Sequence, residues 1–84
     1  MGCTKYLAHN IVSLRRYYRF SQRDVAEAGG VTRNFMSAVE SGEKYPSIKT
    51  IMGIADLFGV TIDEMINTPP NELLAEVDRR ERET

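Results

Sequence analysis

Leu7, Ile11, Leu14 and Tyr18 recur at spacings of four, three and four, the period that lays one apolar stripe along a helix. Thr4 stands where it would cap that helix. Ser21-Gln22-Arg23-Asp24 has the form of a capping box, in which the hydroxyl answers a free amide and the acid three places on reaches back. The short helix it opens ends at Gly29-Gly30. Thr32 is the next cap, for a helix that runs to about Ser41 and stops at Gly42. After Pro46-Ser47, the positions Ile48, Ile51, Met52, Ala55 and Phe58 make a fourth stripe that ends at Gly59. Thr61-Ile62-Asp63-Glu64 is a second capping box, for a short helix carrying Met65 and Ile66. Asn67-Thr68-Pro69-Pro70 breaks the chain, because proline has no place in a helix interior. Asn71 to Thr84 is helix-prone, but only Leu73, Leu74 and Val77 are apolar before a run of charges. No alternating strand pattern and no internal repeat occurs. The pattern predicts an all-α protein: a compact five-helix bundle over residues 1–67, then a Pro-Pro linker and a detachable acidic tail helix over 68–84.

Eighty-four residues, 42% hydrophobic and 27% charged, describe one small globular domain whose function sits on its surface rather than in a deep cleft. One cysteine (Cys3) and one histidine (His9) supply neither a disulfide framework nor a four-ligand zinc site. Cys3 reads as an incidental thiol. His9, on the side of its helix away from Leu7 and Ile11, reads as solvent-exposed. No stretch approaches the ~18 apolar residues of a membrane span, and there is no signal-peptide core. Met1-Gly2 begins like a myristoylation signal, but Tyr6 stands where that signal needs Ser or Thr. The expectation is a soluble cytoplasmic protein without metal or cofactor. No glycine-rich phosphate loop and no nucleophile beside a base argues for an enzyme.

The net charge of −1 conceals an asymmetry. Residues 1–49 carry eight basic side chains against four acidic ones, and residues 50–84 carry three against eight. A basic front and an acidic back suit a protein that shows one surface to a polyanion.

Gln22 to Ser41 is the informative stretch. Two short helices joined at Gly30 cross closely, which asks for a small residue such as Ala26 and for a turn residue free to take positive φ. Val25, Val31, Met36 and Val39 fall on the sides facing the core. Here the chain resembles the Cro/Xre family of helix-turn-helix regulators, which includes lambdoid phage repressors. The resemblance runs from about Ile11 to Ile66. It rests on an ordered set: Leu14-Arg15, Phe20-Ser21-Gln22, Ala26, Gly30-Val31, Met36-Ser37, Val39-Glu40 with Gly42, Pro46-Ser47, Ala55, and Gly59-Val60-Thr61-Ile62-Asp63. It implies a bundle of five helices whose third reads DNA, and dimers on inverted repeats. Departures are Gly29, which doubles the turn glycine and is expected to loosen the second helix, Ala38 where relatives often carry a longer polar side chain, and Glu43 where lysine is common.

On that frame Arg33, Asn34, Ser37 and Ala38 are the candidate base readers: arginine forks onto guanine O6 and N7, and asparagine onto adenine N6 and N7. Gln22, Arg23, Thr32, Lys44, Tyr45 and Ser47 are the candidate phosphate contacts, Gln22 sitting where free helix amides also meet a phosphate. Arg19 is a weaker candidate. Phe35 is expected to pack; Met36, Val39, Ile51, Ile54 and Phe58 are read as core. Arg15 lies on the buried edge of the first helix and needs a carboxylate, for which Glu40 is the partner the resemblance also implies.

The function expected is a sequence-specific double-stranded-DNA-binding transcriptional regulator, a repressor acting as a homodimer, encoded by a bacterium or phage and associated with the nucleoid when bound. Val60, Ile62, Met65 and Ile66, with Leu73, Leu74 and Val77 of the tail, are the expected dimer surface. The alternative is a protein-interaction module such as an antitoxin, its tail occupying a toxin or another protein antagonist.

Overall fold

The computed structural model describes residues 5–83, and the expected cap at Thr4 and the thiol of Cys3 lie outside them. Six helices follow one another: α1 (Lys5–Tyr18), α2 (Gln22–Gly29), α3 (Arg33–Glu40), α4 (Ile48–Phe58), α5 (Ile62–Asn67) and α6 (Pro70–Glu83), with no strand among the described residues. Hydroxyls open four of them. Ser21 and Thr61 form full capping boxes with Asp24 and Glu64, while Thr32 and Ser47 accept from the amides of Phe35 and Thr50. Pro70 is the first residue of α6, where its missing N–H costs nothing.

α1, α2 and α4 end alike, in a left-handed residue whose successor donates back to the carbonyl five places earlier. Gly30 and Gly59 occupy that position in α2 and α4. In α1 it is Arg19, at φ 62°, with Phe20 N–H donating to Arg15 O at 2.9 Å. The side chain of Arg15 joins the same turn, Nη1 donating to Phe20 O at 3.1 Å.

The core gathers Leu7, Ile11 and Leu14 of α1, Val25 and Ala26 of α2, Met36 and Val39 of α3, Ile51, Ile54, Ala55 and Phe58 of α4, and Val60. Met65, Leu73 and Val77 complete it. The tail is therefore not detachable: α6 lies on α1 and buries Leu73 and Val77 there. Polar contacts hold it as well. Tyr17 donates its hydroxyl to Asp78 at 3.0 Å and Tyr18 to Glu81 at 3.1 Å, and Arg80 forks onto Glu64 at 2.5 and 3.3 Å. Burial, then the bond to Glu81, push the Tyr18 hydroxyl up to about 12. The Arg80 guanidinium holds the Glu64 carboxyl below its ordinary value.

Two positions of the fourth stripe behave otherwise than expected. Ile48 (59% exposed) and Met52 (51%) lie on the outer edge of α4, one turn apart, because Ile51, Ile54, Ala55 and Phe58 already fill its inner face. Gly29 does not loosen α2 either. A Cβ there would sit 2.8 Å from Thr50 Cγ2, and one on Gly53 would sit 2.1 Å from Ala28 O. The paired glycines let α2 and α4 cross almost backbone to backbone.

Asn10 is the buried polar side chain that ties α1 to α5. At 1% exposure its amide donates to Met65 O at 2.8 Å and Thr68 O at 2.9 Å, answering carbonyls that the end of α5 leaves open. Asn10→Ala is expected to cost about 2 kcal/mol in urea denaturation, since the desolvated carbonyls lose their donor. A loss near zero would mean that water reaches them.

Candidate nucleic-acid interface

α3 is held by one side and open on the other. Met36 and Val39 are buried and Phe35 is half-buried against the core, so Arg33, Asn34 and Ser37 are left exposed and Ala38 half-buried. Thr32 fixes where the helix begins, its Oγ1 accepting from Phe35 N–H at 3.0 Å. The far end is fixed by Ala38 O, which receives Glu43 N–H at 2.9 Å, Lys44 N–H at 3.2 Å and the Ser41 hydroxyl at 3.0 Å. That one carbonyl thus anchors the loop bearing Lys44 and Tyr45, both exposed.

Behind the exposed face runs a chain of polar contacts. Arg15 Nε donates to Glu40 Oε2 at 2.8 Å and Nη2 to Oε1 at 3.2 Å, with the two side chains 17% and 8% exposed. Glu40 Oε1 also accepts from Gln22 Nε2 at 3.0 Å. Gln22 Oε1 in turn accepts from Arg33 Nη1 at 3.3 Å. Gln22, expected only as a phosphate contact, therefore links the buried ion pair to the first residue of α3. The signal that could have found this is chemical: a half-buried carboxylate already held by a guanidinium keeps lone pairs that ask for another donor.

The remaining candidates are distributed around α3. Arg23 is exposed on the first turn of α2. Thr32 and Ser47 are exposed but use their hydroxyl oxygens as helix caps. Ion pairing divides the molecule. Apart from Arg15–Glu40, the ion pairs among the described residues lie within α6 or join it to α5: Arg79 with Glu76 and Glu83, Arg80 with Glu64 and Glu76, and Arg82 with Asp78. The cations of the acidic half are thus neutralised locally, whereas Arg23, Arg33, Lys44 and Lys49 are exposed and have no carboxylate partner among the described residues. Among the described residues no group of His, Cys, Asp and Glu could hold a metal ion, and no helix is long and apolar enough to cross a membrane.

A capped helix, a left-handed glycine, and a second helix with an open polar face make up residues 21–41, and residues 14–65, more than half the chain, match the helix-turn-helix family. The chain belongs to the Cro/Xre family of helix-turn-helix regulators. Among its relatives, the helix-turn-helix-type transcriptional regulator YqaE of Bacillus subtilis (strain 168) is 28% identical over 65 residues, 77% of this chain and 56% of its own length. The transcriptional activator BcrR of Enterococcus faecalis is 36% identical over 67 residues, 80% of this chain but 33% of its own. The regulator y4dJ of Sinorhizobium fredii is 29% identical over 72 residues, 86% of this chain and 92% of its own. The chain thus spans about half of YqaE and a third of BcrR. No solved structure matches it significantly.

Only some of the dimer residues expected from sequence lie on the surface. Met65, Leu73 and Val77 are fully buried in the single chain and offer a partner nothing. Ile62, Ile66 and Leu74 are half-buried at the edge of the core. Apolar surface lies instead at Ile48 and Met52, and Met52 and Ile62 line one groove between α4 and α5.

Proposed function

We propose that this chain is a sequence-specific double-stranded-DNA-binding transcriptional regulator, working in the cytoplasm and repressing by occupying a promoter. The observation that carries this reading is the open face of α3, with Arg33, Asn34 and Ser37 exposed beside unpaired cations on α2 and the Lys44–Ser47 loop. α3 enters the major groove; Arg33 and Asn34 read base edges, Ser37 and Ala38 allow close approach, and Gln22, Arg23, Thr32, Lys44, Tyr45 and Ser47 fix register on phosphates. Relatives named as transcriptional regulators support the same reading. BcrR is named an activator, and it is three times the length that this chain covers. Repression asks for nothing beyond the DNA-binding unit.

Selection of bound sites from a random duplex library at about 150 mM salt tests this. An enriched site is expected, and Arg33→Ala should lower the preference at one base pair by about 1–3 kcal/mol, the worth of one bidentate contact. Binding that only fades with salt, with no enriched site, would leave the electrostatic component alone and sink the reading.

The protein acts as a homodimer through Ile48, Met52 and Ile62, which would place half-sites about one helical turn, ~10 bp, apart. Met52→Glu should then turn a dimer into a monomer in sedimentation at micromolar concentration. A wild-type protein that sediments as a monomer at every concentration defeats the dimer in the absence of DNA. The alternative, a tail that occupies a protein partner, draws less support, because the tail's buried apolar residues Leu73 and Val77 belong to the protein's own core.

A further inference from the structure

We propose that Glu40 is a positioning residue for DNA reading, setting through Gln22 the direction in which Arg33 presents its guanidinium. The inference rests on the DNA-reading function proposed above and names a determinant of its specificity that touches no DNA.

The argument is one of donors and acceptors. A primary amide can turn either end outward, and in water the two faces of Gln22 would be equivalent. Glu40 removes that freedom. Its carboxylate only accepts, so Gln22 must offer it the amide nitrogen, at 3.0 Å. Gln22 Oε1 then points away from the core, and it meets Arg33, a group that only donates, at 3.3 Å. Each link has one allowed polarity, and the polarity originates in an ion pair that is itself nearly buried. Arg33 is exposed and would otherwise sample many rotamers, each lost on binding. One tether on Nη1 leaves Nη2 and Nε for a base and restricts the plane of the fork. The second N–H of Gln22 Nε2 remains for a phosphate, so one side chain fixes backbone register and reader direction together.

Three variants test this in the same site-selection experiment, with thermal unfolding followed in parallel. Arg33→Ala identifies the base pair that Arg33 reads. Gln22→Met keeps the length of the side chain and removes both hydrogen bonds, on a half-exposed residue whose loss leaves the core intact. It should reduce the preference at that same base pair about five- to tenfold, with other positions unchanged. Glu40→Gln should reduce it there too, and combining it with Gln22→Met should add little further loss of preference. If Glu40→Gln does not fold, Arg15→Met with Glu40→Leu, which leaves no buried charge, takes its place, and a preference at that base pair unchanged by the loss of Glu40 overturns the proposal. A motif that survives Arg33→Ala, or one whose Arg33-dependent base pair is retained by Gln22→Met while affinity falls uniformly, overturns the relay and leaves the DNA-reading function standing. A wild-type protein that selects no motif overturns that function and the relay with it.

Discussion

Glu40→Ala is expected to lower the stability of the folded chain by about 3 kcal/mol or more, the cost of leaving a desolvated charge without its partner. Arg15 keeps its place on α1, where 17% of its side chain reaches solvent, and its remaining acceptor is Phe20 O. One carbonyl does not neutralise a guanidinium. The Gln22 amide loses its acceptor at the same time. Chemical denaturation measures the loss directly, and a value under about 1 kcal/mol would place the pair with exposed salt bridges. Replacing both partners by apolar residues, Arg15→Met with Glu40→Leu, should recover most of that stability, because no buried charge then remains. The doubly substituted protein would be folded yet lack the anchor behind Gln22.

Gly53→Ala is expected to destabilise by about 3 kcal/mol, at the upper end of the range for overpacking a tight contact. The sign is the informative part. Glycine in a helix interior is ordinarily improved by alanine, by about 1 kcal/mol. Here the added methyl would lie 2.1 Å from Ala28 O, and a backbone oxygen cannot turn aside as a side chain can. α2 must move away from α4, and the turn that sets α3 moves with it. Gly29→Ala meets side-chain atoms of Thr50 and Ile54 instead, which can shift, so its effect should be smaller. A Gly53→Ala protein with raised or unchanged stability in urea would show that α2 and α4 are not in close contact in solution.

What the sequence made legible was local. Ser21, Thr32 and Thr61 announce helix starts because a cap is a bond between neighbours in the chain, and Gly30 and Gly59 announce ends for the same reason. The close of α1 carries no such mark, since Arg19 stands in the left-handed position usually given to glycine. Periodicity separates the two sides of α3, but on α4 it merges Ile48 and Met52 with the buried stripe, because an apolar side chain looks alike at the core and at its rim. The packed tail escapes the pattern for a related reason. Two buried residues in fourteen are a faint stripe, and the surface of α1 on which α6 lies is built from elsewhere in the chain. Gly53 reads as an ordinary weak point in a helix until Ala28 is seen opposite it. The link from Glu40 through Gln22 to Arg33 crosses eighteen and then eleven positions of sequence, and nothing local reports it.

The separation of charge described above has a kinetic consequence. With the arginines of α6 paired to their neighbours and Arg23, Arg33, Lys44 and Lys49 left open, this protein of net charge −1 carries its acidic excess in residues 50–84 and its open cations in residues 1–49. A uniformly basic protein is drawn to a duplex in any orientation and must then rotate on its surface. A protein with its charge so divided is turned while still approaching, and its acidic part is repelled if it arrives first. The benefit falls on the association rate rather than on the lifetime of the complex. It should fade as added salt shortens the reach of the field to about 8 Å at 0.15 M.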